Sequence, residues 1–174
     1  MKNPSKNYDK VMLALHAQMH SIGFEECQIS EIPDPILYKR IGEILWLYQP
    51  DIMLRGGYIR ISGSIGFSFI GKFLNEDVSI IDALNPMGGW MISIRLENFL
   101  SVMKSGVIES DRLDELPQFI ESLYCCMSEN LPLSIDEIKK MLANEASWLS
   151  IMIANQRSFS DNYPFRKTIA SLDE

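Results

Sequence analysis

Apolar residues recur at steps of three and four along the start of the chain: Tyr8, Val11, Met12, Leu15, Met19 and Ile22. That spacing predicts a helix from about Ser5 to Ile22, with Gly23 as its stop. The two prolines of Glu31-Ile-Pro-Asp-Pro35 predict a turn. From Ile36 the period changes to two, and Ile36 to Ile41 reads as a strand. Glu43 to Gln49 reads as another. There Ile44, Trp46 and Tyr48 oppose Leu45 and Leu47, so both faces are apolar and a central, covered strand is expected. The clearest alternation follows Gly56-Gly57. Ile59, Ile61, Ile65, Phe67 and Phe69 point one way, and Tyr58, Arg60, Ser62, Ser64 and Ser68 the other. After a turn at Asn85-Pro-Met-Gly-Gly89, the stretch Trp90 to Leu96 repeats the contrast, with Ser93 and Arg95 on its polar side.

Beyond residue 96 the pattern turns helical. Asn98 to Lys104 suits a short helix ended by Gly106. Asp114 is placed to cap a helix reaching about Met127, with Pro117 in its first turn and Leu116, Ile120, Leu123 and Met127 inward. Ser134-Ile-Asp-Glu137 has the form of a capping box, opening a helix to about Gln156 with Ile138, Leu142, Leu149 and Ile153 inward. Tyr163-Pro164 precedes a short tail helix. The order implies one α+β domain over residues 1–174: an N-terminal helix, an antiparallel meander of about four strands, and C-terminal helices packed on one sheet face.

The chain has 174 residues, 47% hydrophobic and 22% charged, enough to bury a core and inconsistent with disorder. Cys27, Cys125 and Cys126 are odd in number and two are adjacent, which favours reduced thiols and a cytoplasmic location over a disulfide framework. No targeting segment and no membrane-length apolar run is apparent. Charge adds the most. Residues 1–72 carry eight basic and seven acidic side chains, whereas residues 73–174 carry eight and sixteen, within a net charge of −7. Such a balance disfavours nucleic acid and favours a basic protein partner.

Candidate chemistry is sparse. Gly66-Phe-Ser-Phe-Ile-Gly71-Lys72 follows the phosphate-loop pattern as far as its lysine, but Phe73 stands where a magnesium-binding hydroxyl belongs. The glycines read better as a bulge or bend in a long strand. His16 and His20 have the spacing of two metal ligands on one helix, yet no third ligand is specified, and a polar helix stripe explains them as well. A thiol nucleophile would require a base beside Cys125 or Cys126, and both histidines lie far upstream. The paired carboxylates fall mostly where a helix dipole favours them. No catalytic set, metal site or cofactor is expected, and the chain does not read as an enzyme.

Two surfaces remain. An acidic set, Glu76, Asp77, Asp82, Glu109, Asp111, Asp114, Glu115 and Glu121, suits electrostatic capture of a partner. Alternatively, the polar sheet face with Tyr58, Arg60, Ser62 and Arg95 suits a small ligand or anion in a regulatory module.

The stretches Gly23-Phe24, Tyr38 to Gln49, Gly57 to Gly63 and Leu131 to Glu137 resemble small bacterial α+β proteins of uncharacterised-domain type. Those in turn are similar to toxin-immunity proteins. The resemblance implies a cytoplasmic protein that binds and neutralises a cognate toxin, such as a basic nuclease; the net negative charge and the lack of a long apolar run set nucleic acid and membrane aside as partners. The resemblance assigns no individual binding residue.

Overall fold

The computed structural model describes residues 4–55, 58–99, 107–109, 113–155 and 163–172. The first helix, α1 (Pro4–Ser21), ends where Gly23 enters the left-handed region at φ +88° and the Phe24 N–H returns to the Met19 carbonyl at 3.1 Å. Strands β1 (Glu25–Cys27), β2 (Ile36–Ile41), β3 (Ile44–Arg55) and β4 (Tyr58–Phe69) then pair in succession, all antiparallel. A small hairpin, β5 (Gly71–Phe73) and β6 (Glu76–Val78), leads into the short helix α2 (Ile80–Leu84). Strand β7 (Met91–Arg95) returns to pair with the second half of β4, and β8 (Val107–Glu109) pairs with its first three residues. The main sheet therefore has six strands in the order β1-β2-β3-β4-β7, with β8 also on β4. Helices α3 (Leu116–Asn130), α4 (Ile135–Ala143), α5 (Trp148–Asn155) and α6 (Pro164–Ser171) complete the α+β fold.

The alternation in β4 carries the main core. Ile59, Ile61, Ile65, Phe67 and Phe69 are all buried, in one cluster with Leu15 and Met19 of α1, Leu116, Ile120, Leu123 and Met127 of α3, Leu149 of α5 and Phe165 of α6. The opposite face is not simply solvated. Leu45 and Leu47 pack there with Ile36, Tyr38, Val78, Leu84 and Trp90, so the β5–β6 hairpin and α2 form a second, smaller layer. Ser68 is fully buried in this layer, its Oγ 2.7 Å from the Ala83 carbonyl and 2.8 Å from that of Trp90. Ser62 is buried as well. The expectation of an open polar face at these two serines is thus corrected.

Three other expectations change. Strand β3 continues through Pro50 to Arg55 and pairs along the whole of β4. The proline stands opposite Gly63, where a Cβ would lie 2.1 Å from the Gln49 carbonyl oxygen, so this crossing admits only glycine. The helix expected from Ser134 to Gln156 is two. Ser134 Oγ does accept the Glu137 N–H, and Glu137 Oε2 reaches back to the Leu133 N–H at 2.7 Å. The first of the two ends at Asn144, whose side chain accepts the Ala146 N–H, while Ser147 Oγ accepts the Ser150 N–H and starts the second. Finally, Asp114 does not cap α3. It lies in a 3-10 turn, Leu113–Glu115, and Glu115 is the N-cap without a side-chain cap bond. Of the helix expected over 98–104, residues 98 and 99 belong to the 3-10 turn Leu96–Phe99 and the rest lies outside the described residues.

Candidate functional site

The two arginines of the proposed ligand face stand together, but with partners. Antiparallel pairing sets Ser64 opposite Arg95 and Asp51 opposite Ser62, all on the face that carries Arg60. Arg95 meets Asp51 Oδ2 through Nη2 and Glu97 Oε2 through Nε, each at 3.2 Å. Arg60 Nη2 lies 3.7 Å from Glu97 Oε1, which also accepts the Ser62 hydroxyl at 3.2 Å. Burial pushes the Glu97 carboxyl up, but backbone hydrogen bonding, the Arg95 charge and the Ser62 hydroxyl outweigh it and hold it below the ordinary carboxylate value. Two cations are thus matched by two carboxylates, which leaves little net attraction for a free anion. The side chain of Tyr58 lies outside the described residues. Neither Asp51 nor Glu97 stood out in the sequence, because only the register of β3, β4 and β7 brings them to the arginines.

The acidic set divides. Glu109 is paired opposite Tyr58 at the start of β4, while the β5–β6 hairpin follows the end of β4 at Phe69. Eleven residue steps at ~3.3 Å put those ends on the order of 36 Å apart. Asp114 and Glu115 follow β8 in the chain, and both already engage other groups of the fold. Glu121 projects from α3 into a groove against α1, beside Gln18, Tyr124 and the exposed Cys125. Asp111 lies outside the described residues.

Glu76, Asp77 and Asp82 do come together. All three are exposed and line one hollow of about 300 Å³ between β6 and α2, with Asn85, Gly88 and Trp90 as the other principal walls. No Lys, Arg or His lines it among the described residues; Lys72 stands opposite Asp77 in the hairpin register. Its supports are built in. Leu74 and Asn75 take φ of 51° and 65° to close the hairpin tightly. Ser79 caps α2 by accepting the Asp82 N–H at 3.2 Å, and its hydroxyl donates to Asp82 Oδ2 at 2.5 Å.

His16 and His20 converge on a carboxylate. His16 Nδ1 lies 2.8 Å from Glu26 Oε2, and His20 Nε2 lies 3.7 Å from the same oxygen while its Nδ1 meets the Phe24 carbonyl at 2.8 Å. Nε2 of His16 is buried with no hydrogen-bond partner among the described residues, which fits the tautomer protonated on Nδ1. These contacts tie α1 to β1. Among the described residues no group of three His, Cys, Asp or Glu side chains is arranged to hold a metal ion. Residues Gly66 to Phe69 belong to β4, with their backbone paired to β3 and β7 instead of forming an open phosphate loop. Gly71, at φ +96°, marks the bend into the hairpin. No described helix is long and apolar enough to cross a membrane.

No family model, no curated protein and no solved structure matches this chain.

Proposed function

We propose that this chain is a cytoplasmic immunity-type protein that captures a basic toxin domain and neutralises it by occupancy, without catalysis of its own. A nuclease domain is the partner class that fits best, since a surface built to hold phosphate carries the complementary charge. The observation that carries the reading is the hollow bounded by Glu76, Asp77 and Asp82, where three carboxylates from two elements face one space with no cation lining it among the described residues. Opposite charge on the partner steers encounter and aligns the two surfaces before short-range contacts form. The other acids, Glu109, Asp111, Asp114, Glu115 and Glu121, add to the general field; the distance of Glu109 and Glu121 from the hairpin argues against one continuous contact patch. The ligand-binding alternative at Tyr58, Arg60, Ser62 and Arg95 is weaker because Asp51 and Glu97 already match the arginines.

The test is reconstitution. A basic domain captured from the source cell is purified, shown to be toxic when expressed alone, and co-expressed with this chain. Growth should be restored by the wild-type chain and lost with Glu76→Lys combined with Asp77→Lys. A captured partner that is acidic, or whose activity the bound chain leaves intact, would rule out neutralisation.

A further inference from the structure

We infer that the hollow formed by the end of α3, by α4 and by the start of α5 is a binding site for a short apolar peptide with free ends. The ammonium end of the ligand meets Glu129 and the last carbonyls of α3. Its carboxylate meets Lys140, and its side chains cover Leu133 and Trp148. The site lies on the helical side of the sheet, away from the layer that holds Val78 and Trp90. It is therefore a second function and does not depend on the partner reading.

The space and its apolar lining are the first observation. The hollow encloses about 610 Å³, inside the range of ~300–1,000 Å³ typical of small-molecule sites. Leu133, Met141, Trp148 and Phe99 line it. Leu133 is 50% exposed and the other three are half-buried, so apolar surface remains here for a ligand to cover.

The end of α3 supplies the second. In a continuing helix the Ser128 and Glu129 carbonyls would accept from the N–H groups of residues 132 and 133. Pro132 has no N–H, and that of Leu133 turns to Glu137 Oε2 at 2.7 Å. No group among the described residues bonds either carbonyl, whereas those of Met127 and Asn130 accept the Leu131 N–H and the Trp148 indole, each at 2.8 Å. The last turn of α3 holds no basic residue and carries Glu129 instead, an acid at the negative end of the helix dipole. Ser128 and Glu129 both line the hollow. An ammonium brings positive charge and three N–H donors to this end.

Lys140, in the last turn of α4, supplies the opposite charge. It lines the same hollow, and neither it nor Glu129 forms an ion pair among the described residues. Glu137, one turn before Lys140, is engaged by the Leu133 N–H. One unmatched acid and one unmatched base on two helices around an apolar hollow complement a zwitterion. A free amino acid holds both charges on one carbon; a peptide separates them, as α3 and α4 do.

The walls are fixed before any ligand arrives. The Trp46 indole donates to the Pro132 carbonyl at 2.8 Å and Ser147 Oγ to that of Met141 at 2.6 Å, while the Trp148 indole ties α5 to the end of α3. Little ordering is left to be done on binding.

The test is an NMR titration of the full ¹⁵N-labelled chain with the dipeptide Leu-Phe, following the indole resonance of Trp148. The reading predicts a saturable shift of that resonance at millimolar peptide. Acetylating the amino end of the peptide should weaken binding to the wild-type chain about fivefold and make no difference to Glu129→Gln. Amidating the carboxyl end should do the same, and make no difference to Lys140→Gln. Leu133→Ser should weaken all three peptides about threefold. The three substituted residues are exposed, so the variants should keep the wild-type fold, checked by circular dichroism. Glu129→Gln, which removes an acid from a helix C-terminus, should not lower the urea midpoint. An unmoved Trp148 resonance, capped peptides that bind as tightly as the free one, or L-phenylalanine binding as tightly as the dipeptide would overturn the assignment. Because the dipeptide carries no net charge, its failure would leave the capture of a basic partner at Glu76, Asp77 and Asp82 standing.

Discussion

Replacing Phe67 by alanine removes a ring from the middle of the face on which the helices rest. The side chain is fully buried, and three other rings surround it: Phe69 at 6.0 Å, Trp148 at 6.2 Å and Phe165 at 5.6 Å between centroids. Truncating a buried phenylalanine costs about 3–5 kcal/mol through lost transfer energy and the cavity left behind. Edge-to-face and tilted ring contacts add about 0.5–1.5 kcal/mol beyond area alone. With partners from β4, α5 and α6, the loss should fall in the upper half of that range, about 4–5 kcal/mol. That is a large share of the ~5–15 kcal/mol that holds a domain of ordinary stability. Urea unfolding followed by fluorescence and circular dichroism measures it, and an unchanged slope would show that the unfolded state was not altered. Phe67→Leu, which refills part of the cavity, should lose clearly less. A loss below about 1 kcal/mol, typical of a surface site, would mean that the odd-numbered residues of β4 do not face the helices.

Gly66→Ala should cost about 1–3 kcal/mol or more, because its Cβ would lie 2.0 Å from the Ile92 carbonyl oxygen and β7 would have to move; unchanged hydrogen-exchange protection of residues 91–95 would contradict this. Alkali should destabilise the fold through its tyrosines. Burial, the hydrogen bond to Glu25 and the charge of Glu25 push the Tyr38 phenol up to about 12, and burial also raises Tyr48 and Tyr8. A raised folded-state value favours the neutral phenol, so its contribution is complete below the ordinary value of ~10 and is lost as pH climbs toward the folded one. The urea midpoint should therefore fall between about pH 10 and 12, less steeply in Tyr38→Phe, and a flat midpoint across that window would refute the assignment. Of the three thiols, Cys125 is exposed whereas Cys27 and Cys126 are buried, and burial pushes Cys126 up to about 11. Ellman's reagent should label one thiol promptly in the native protein and all three in urea; three prompt labels would place the adjacent cysteines wrongly.

Elements with a long, one-sided period were legible in the sequence. The stripe of α3 and the alternation of β4 bury the residues that the pattern placed inward, and that of α1 buries Val11, Met12, Leu15 and Met19 while Tyr8 and Ile22 at its ends are half-buried. What escaped was short or depended on pairing. Strands β5 and β6 have three residues each, too few to show a period, and their turn at Leu74-Asn75 lacks the usual glycine. Ser68 looked solvent-facing because it is polar, yet a hydroxyl satisfied by two carbonyls is at home in a core. The break between α4 and α5 was hidden because the apolar spacing of Ile138, Leu142, Leu149 and Ile153 runs across it, although Asn144 and Ser147 carry capping chemistry. The acidic excess was plain in composition. Which acids share a surface was not, since β4 separates residues that lie only some thirty positions apart in the chain.

On the proposed function, negative charge around Glu76, Asp77 and Asp82 should bring a basic partner onto this protein. Stopped-flow association with the captured basic domain, over a salt series, tests it most directly. Charges separated by more than about 8 Å are screened at physiological ionic strength, so the wild-type association rate should fall steeply as salt rises. Glu76→Lys with Asp77→Lys should slow association about tenfold at low salt and flatten the dependence, with Glu121→Lys doing much less. An association rate indifferent to both salt and the double reversal would contradict the claim.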